Sequence, residues 1–209
     1  MVYQHRPETP QESWDAMKAG NARFHHGDPA HPRQDVDRRA DIADGQTPFA
    51  ALFGCADSRL SAEIIFDAGL GDLFVVRNAG QVIGETVLGS LEYAVEVLKV
   101  PLILVLGHDN CGAIRATIDV SEGKVPATGH YINEIAKRIM HTVRLAHAQG
   151  NSDIDTITQM HIKDTVEDML RDSKVVREAV YEGKLGVVGA NYSLHDGQVE
   201  PLFLIGNIK

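Results

Sequence analysis

The sequence predicts an α/β protein with a central, mainly parallel sheet of four strands, an antiparallel edge strand, flanking helices and an N-terminal helical arm. Near-continuous apolarity, typical of strands covered on both faces, occurs in four runs: residues 49–54, 73–77, 102–107 and 185–192. A helical apolar pattern over residues 87–98 separates the second run from the third, which indicates a right-handed parallel crossover. With 209 residues, 44% of them apolar, the chain can bury a full core.

The N-terminal arm begins with a helix. Thr9-Pro-Gln-Glu12 is a capping box with proline at the first helical position, and an apolar face continues from Trp14 to Phe24 before Gly27 ends the helix. Residues 25–37 carry three histidines and two prolines without periodicity, which predicts an extended connector. Such a connector lets the helix lie on another surface, such as a second subunit.

The C-terminal half predicts further helices and a last strand. Apolar spacing over residues 132–143 and 154–180 indicates long covering helices, the second of them broken near Ser173, where a new cap can start. Pro201 restricts residues 199–205 to an edge position, so we expect an antiparallel fifth strand there.

The sequence contains no clear linker, so we predict a single domain over residues 1–209, made of an arm with its connector at 1–36 and an α/β core at 37–209.

Composition and charge exclude several classes of function. A net charge of -9 without a basic cluster argues against nucleic acid as a partner. The first six residues lack the apolar core of a signal peptide, and no run approaches the roughly 18 apolar residues of a membrane span. We therefore expect a cytoplasmic protein without a membrane partner.

The chain has only two cysteines, Cys55 and Cys111, and each follows a predicted strand in a polar motif. Ligands bind beyond the carboxyl ends of parallel strands, where Cys55 and His108 fall, and Cys111 comes three residues after the histidine. A reducing compartment and the His-X-X-Cys spacing favour a metal over a disulfide. Two thiolates and an imidazole suit zinc best, so these three residues are predicted to bind one zinc ion per chain.

Two further residues bear on the fourth position around that metal. Asp57 is placed to occupy or flank it, and the planar guanidinium of Arg59 can grip the Asp57 carboxylate at two points and hold it off the metal. Asp57 is then free to accept a hydrogen bond from zinc-bound water or hydroxide. Because two thiolates cancel the zinc charge, we expect activity to need more alkaline solution than a three-histidine site, whose water titrates near about pH 7.

The sequence resembles the β-class carbonic anhydrases over most of its length. Four motifs match in order and spacing: Cys55-Ala-Asp-Ser-Arg59, Val76-Arg77-Asn78-Ala79, Glu92-Tyr93-Ala94-Val95 and Gly107-His108-X-X-Cys111-Gly112. The resemblance implies the same three zinc ligands, Asp57 and Arg59 as a catalytic dyad, and reversible hydration of carbon dioxide to bicarbonate by a zinc lyase. It also implies a homodimer or homotetramer, with each site at a subunit boundary and the N-terminal helix over the partner.

The resemblance further implies a substrate pocket of the open, plant-like group. Gln46 matches the glutamine that binds substrate, and Phe74, Ala79 and Tyr93 match the positions of an apolar wall that suits uncharged carbon dioxide. Leu52 stands where the bicarbonate-regulated group has tryptophan, which argues against that group. A closed state at low pH, in which Asp57 is the fourth zinc ligand, remains an alternative. Backbone N–H groups near Asp57 and Gly112 are candidates to hold the developing bicarbonate.

Other interpretations of the same residues remain. The zinc site can instead hydrolyse carbon disulfide or carbonyl sulfide, or it can stabilise a non-catalytic binding module in which Asp57 closes the metal sphere. A thiol redox enzyme is disfavoured, because no resolving cysteine lies near either thiol. Single residues such as Phe74 and Tyr93 are by themselves ordinary core candidates, and the other histidines lack ligand spacing.

Overall fold

The computed structural model describes residues 6–125 and 129–209, so the first five residues of the predicted arm lie outside the described part. The helices described are α1 (Pro10–His25), α2 (Val36–Asp41), α3 (Ala62–Ile65), α4 (Glu85–Glu96), α5 (Gly112–Ser121), α6 (His130–Ala148), α7 (Ile154–Asp172) and α8 (Lys174–Tyr181). The strands are β1 (Ala50–Cys55), β2 (Leu73–Asn78), β3 (Leu102–His108), β4 (Gly186–Tyr192) and β5 (Val199–Ile205). No helix in these two ranges is both long and apolar enough to cross a bilayer.

The strands form one sheet in the order β2-β1-β3-β4-β5 across the described residues. The first four are parallel, and β5 pairs antiparallel with β4, with a register shift beside Pro201. This architecture confirms the predicted fold class, with each strand within one residue of its apolar run. The interruption of the last long helix is also confirmed, because Ser173 caps α8 with its side chain on the N–H of Val176.

Both faces of the sheet are buried, which explains the uninterrupted apolar runs. Alternate residues of β1 and β3, such as Phe53 and Val105, pack with α4, α7 and α8. Their neighbours, such as Leu52 and Leu104, pack with α1 and α3 on the other face. Because both β1 and β3 are central strands, their carboxyl ends lie in the best-covered part of the fold.

Helix α1 packs on its own chain. The predicted capping box is present, with Thr9 and Glu12 each accepting the other's backbone N–H. Trp14 and Met17 are 2% and 0% exposed and join the cluster that covers β1 and β3. The apolar side of the helix is therefore covered within the chain, so only its other side is open to a partner subunit.

The connector after α1 is also fastened to the core, and it is shorter than expected because α2 starts at Val36. The buried carboxylate of Asp67 accepts three hydrogen bonds. They come from Nε of Arg23 at 2.5 Å and from the backbone N–H groups of Ala30 and His31 at 2.9 and 2.8 Å. Buried Asp72 pairs with Arg33 in the same way. These long-range ion pairs hold a segment that has no apolar periodicity of its own.

We predict that Asp67→Ala lowers the free energy of unfolding by roughly 3 kcal/mol, because it leaves the charge of Arg23 and two N–H groups without their partner. Burial opposes ionisation of Asp67, but Arg23 and the two N–H groups outweigh it and lower its pKa. This stability is therefore present above the ordinary aspartate pKa and lost as the pH falls through the lowered one. Urea unfolding at neutral pH measures the change.

Asp15→Ala, which removes an exposed ion pair with Lys18, is the control and should lower the free energy of unfolding by less than about 1 kcal/mol. Equal losses of stability in the two variants would contradict the prediction.

Candidate metal centre and active site

The chain order places a crevice between the carboxyl ends of β1 and β3. From β1 the chain crosses to β2 at one edge and then returns to β3 on the opposite side of β1. Such a reversal of direction is where open α/β sheets bind ligands. Cys55 and His108 are the last residues of these two strands, and Cys111 immediately precedes α5. The topology alone therefore brings the three predicted metal ligands together.

One ligand atom from each of Cys55, His108 and Cys111 lies within 4.8 Å of the other two, and all three residues are buried. Nδ1 of His108 donates to the carbonyl oxygen of Asp109 at 2.8 Å, which leaves the lone pair on Nε2. Nε2 is buried and has no hydrogen-bond partner among the described residues. An oriented imidazole with an unpaired nitrogen beside two thiols is a fitting donor set for a zinc ion.

The two thiols affect each other's ionisation. The side-chain hydrogen bond between them lowers the pKa of Cys55 and raises the pKa of Cys111. Backbone N–H groups also favour the thiolates, those of Gly80 and Asp57 at Cys55 and those of Ala113 and Ile114 at Cys111. The backbone N–H groups at both sulfurs thus favour the thiolate form in which cysteine binds a metal.

Asp57 and Arg59 form a two-point ion pair beside the cluster. Nε and Nη2 of Arg59 donate to Oδ1 and Oδ2 of Asp57 at 2.9 and 2.7 Å. These hydrogen bonds hold the pKa of Asp57 well below its usual range. Oδ2 of Asp57 lies 4.0 Å from Nε2 of His108, so the carboxylate flanks the cluster while the arginine holds it. Asp57 is therefore a permanent hydrogen-bond acceptor next to the candidate metal position.

Arg77 fixes the backbone of the same loop. Its Nε donates to the carbonyl oxygen of Cys55 at 2.8 Å, and its Nη2 donates to that of Asp57 at 2.6 Å. In the sequence, Arg77 belongs to the second motif, and the resemblance leaves a role in anion binding open for it. In the structure, Arg77 joins β2 to the segment that carries Cys55 and Asp57. This contact depends on the register of β1 on β2, which the sequence does not show.

The predicted substrate-pocket residues are spread around the site. The rings of Phe74 and Tyr93 lie 6.0 Å apart, and Tyr93 is 44% exposed. Ala79 instead lines a mainly apolar cavity of about 290 Å³ between α5 and α6. Gln46 is exposed in the loop before β1 and makes no side-chain hydrogen bond within the described residues, and Gly112 is exposed at the start of α5. A single chain thus brings Phe74 and Tyr93 together but does not gather all five residues into one pocket.

The fold and the site define an α/β protein with a candidate metal centre. A buried Cys-His-Cys cluster lies where the strand order of the parallel sheet reverses, and a carboxylate held by an arginine lies beside it. The family comparison is consistent with this class. A family model described as carbonic anhydrase matches residues 50–199. The chain belongs to the carbonic anhydrase family, and within it to the β class, which confirms the resemblance of the four motifs.

Relatives of the chain carry the same name. Carbonic anhydrase 2 of Mycobacterium tuberculosis is 49% identical over 200 residues, covering 95% of this chain and 96% of the relative. A carbonic anhydrase of Mycolicibacterium smegmatis is 46% identical over the same shares of both chains. Among solved structures, the β-carbonic anhydrase of Coccomyxa in complex with acetazolamide is 27% identical, with a TM-score of 0.70 over 92% of this chain and 86% of that one. The chain is an enzyme, a carbonic anhydrase, and the family is one of lyases.

Proposed function

We propose that the chain catalyses the reversible hydration of carbon dioxide to bicarbonate and a proton, with one zinc ion held by Cys55, His108 and Cys111. The observation that carries the proposal is the buried Nε2 of His108. It has no hydrogen-bond partner within residues 6–125 and 129–209, and it lies beside two thiols and 4.0 Å from the carboxylate of Asp57. When bound, zinc supplies the Lewis acidity that makes water a nucleophile near neutral pH.

The dyad supplies orientation. Asp57 stays ionised because Arg59 donates two hydrogen bonds to it, so it accepts a hydrogen bond from the attacking water and aims a lone pair of that water at the carbon of carbon dioxide. The water oxygen forms the new bond to carbon, one oxygen of carbon dioxide takes up the negative charge, and the released proton passes to solvent buffer. Bicarbonate then leaves, and the reverse reaction follows the same path.

Arg59 is the reason to prefer an enzyme over a zinc-stabilised binding module. A structural zinc site has four protein ligands, and Asp57 is the nearest candidate for the fourth. Arg59 already holds both oxygens of that carboxylate, which favours a metal position open to water. The proposal also includes a closed state at low pH, in which Asp57 moves to become the fourth zinc ligand.

We further propose that a second copy of the chain completes the substrate pocket, in a homodimer or a homotetramer. Strand β2 lies at the edge of the sheet, and apolar surface is exposed beside it at Tyr93 of α4 and at Val97, which directly follows α4. Gln46, Phe74, Ala79 and Tyr93 are then the residues that bind carbon dioxide, with the amide of Gln46 supplied across the boundary. The backbone N–H of Gly112 is proposed to bind bicarbonate.

Stopped-flow assays of the purified zinc protein test this function. We expect rapid proton release from carbon dioxide and slower turnover of carbonyl sulfide and carbon disulfide, because those sulfur-containing analogues are larger. Removal of the metal with a chelator should abolish activity, and stoichiometric zinc should restore it. Faster turnover of either sulfur compound would favour the alternative hydrolase, whereas activity that survives complete zinc removal would contradict the proposal.

A further inference from the structure

A tight turn after β2 donates a backbone hydrogen bond to one of the proposed zinc ligands. Cys55 pairs in the sheet with Asn78, where β2 ends, so the turn at residues 79–81 lies directly beside the cysteine. The N–H of Gly80 points to Sγ of Cys55 at 3.4 Å. Groups that hydrogen-bond a metal ligand fix its orientation and tune its affinity for the metal.

The position of this N–H depends on glycine. Gly80 has a φ of 74°, and a Cβ there would lie 2.9 Å from both Cβ of Ala113 and Cδ1 of Ile139. The next residue, Gln81, also has a positive φ, 44°, although it carries a side chain. Two consecutive left-handed residues make a strained turn, which persists only where its surroundings hold it.

Three side chains hold the turn. Thr165 of α7 donates its hydroxyl to the carbonyl oxygen of Gln81 at 3.4 Å. Asn78 closes its base, with Nδ2 donating to the carbonyl oxygen of Val82 at 2.8 Å and Oδ1 accepting the N–H of Val82 at 2.9 Å. His161 of α7, which follows Gly80 by 81 residues in the chain, reaches the middle of the turn. Its Nε2 lies 2.8 Å from the carbonyl oxygen of Gly80.

The protonation of His161 follows from this contact. A carbonyl oxygen only accepts, so Nε2 carries the proton and donates it. The side chain is 4% exposed, and burial lowers the pKa of His161, which keeps the ring neutral. Nδ1 is buried without a hydrogen-bond partner among the described residues, so the bond to Gly80 is what orients the ring there.

We propose that His161 is a positioning residue of the metal centre: its Nε2–H fixes the carbonyl of Gly80 and thereby aims the N–H of Gly80 at the sulfur of Cys55. His161 touches neither the metal position nor the substrate, and it acts only through the turn. The inference rests on the proposed function in one respect, namely that Cys55 is a zinc ligand.

Removing the donor tests the proposal. His161→Leu should weaken zinc binding by about 10- to 100-fold, because the turn loses the bond that holds it against Cys55. His161→Gln should restore affinity close to that of the parent, because the glutamine amide carries an N–H about as far from the backbone as Nε2. Chelator competition measures zinc affinity, and the sulfur-to-metal absorption of the cobalt(II)-substituted protein reports the bond from Cys55 independently of activity.

A matched control separates this role from ordinary packing in α7. Thr158 is equally buried, but its hydroxyl donates to Ile154 in its own helix, so Thr158→Val should leave zinc affinity and the cobalt spectrum unchanged. If His161→Leu does not fold, the pair His161→Gln and His161→Asn decides, because the asparagine amide falls short of Gly80 and should bind zinc weakly. Equal zinc affinity and equal cobalt spectra for these two variants would overturn the proposed role of His161 and leave the proposed function standing. A parent protein that binds no zinc would overturn both this proposal and the proposed function.

Discussion

Cys111→Ala is expected to lose the metal and, with it, nearly all hydration of carbon dioxide. Cys111 supplies one of three protein ligands, and its replacement leaves the buried Nε2 of His108 with a single thiolate neighbour, Cys55. If an apparent zinc affinity of about 10–16 kcal/mol is shared among three ligands, the loss is roughly 3–5 kcal/mol, or on the order of 100- to 10,000-fold in affinity. Zinc per chain after dialysis and the stopped-flow rate measure the two effects together.

A substitution on the same helix provides the control for this experiment. Arg115 lies in the first turn of α5, and its side chain is exposed. Arg115→Ala should keep a full complement of zinc and near-parental activity. A Cys111→Ala protein that retained stoichiometric zinc and the parental rate would show that the metal lies elsewhere.

Asp57→Ala should retain zinc but hydrate carbon dioxide slowly. The carboxylate lies outside the three-ligand cluster, so the metal donors are unchanged, while the acceptor that orients the attacking water is gone. A positioned acid or base typically contributes at least about 100-fold to the rate, and we expect a loss of that size in kcat with little change in metal content. Stopped-flow assays at matched zinc content measure it.

Arg59→Lys separates geometry from charge in the same dyad. Lysine keeps the positive charge but cannot donate to both carboxylate oxygens as Nε and Nη2 of Arg59 do. We therefore expect its rate to lie between those of the parent and of Asp57→Ala. An Asp57→Ala enzyme as fast as the parent would refute the role of the dyad.

The sheet and the long helices were predictable because their signals are local and repeated. Central strands such as β1 and β3 need uninterrupted apolar residues, and α4 needs an apolar face at helical spacing. The helices α2 and α3 and the turn at residues 79–81 were not predicted, since elements of three to six residues are too short for a periodic pattern to recur. Prediction thus failed where an element spans fewer than two helical turns.

The metal ligands were predictable for a different reason. Cysteine is rare in this chain, and both copies follow strands whose carboxyl ends meet in any parallel sheet of this topology. The pairing of Asp57 with Arg59 is local and needs only two residues of separation. The contacts of Asp67 with the connector and of His161 with Gly80 join residues far apart in sequence, so no local pattern indicates them.

The surface that covers the N-terminal helix could not be predicted from the sequence, which shows only that one side of the helix is apolar. The placement of this helix over a partner, which the resemblance implies, stays a prediction. In the structure the apolar side covers β1 and β3 of the same chain through Trp14 and Met17. An apolar face predicts that a helix is buried, and the tertiary structure determines which surface covers it.

The donor set around the metal is the most direct test of the account. X-ray absorption of the purified protein at the zinc edge, together with a metal count, should give one zinc per chain, with two sulfur neighbours at about 2.3 Å and lighter nitrogen or oxygen neighbours near 2.0–2.1 Å. Protein that carries no zinc, or zinc with fewer than two sulfur neighbours, would contradict the assignment of Cys55, His108 and Cys111 and the function built on it.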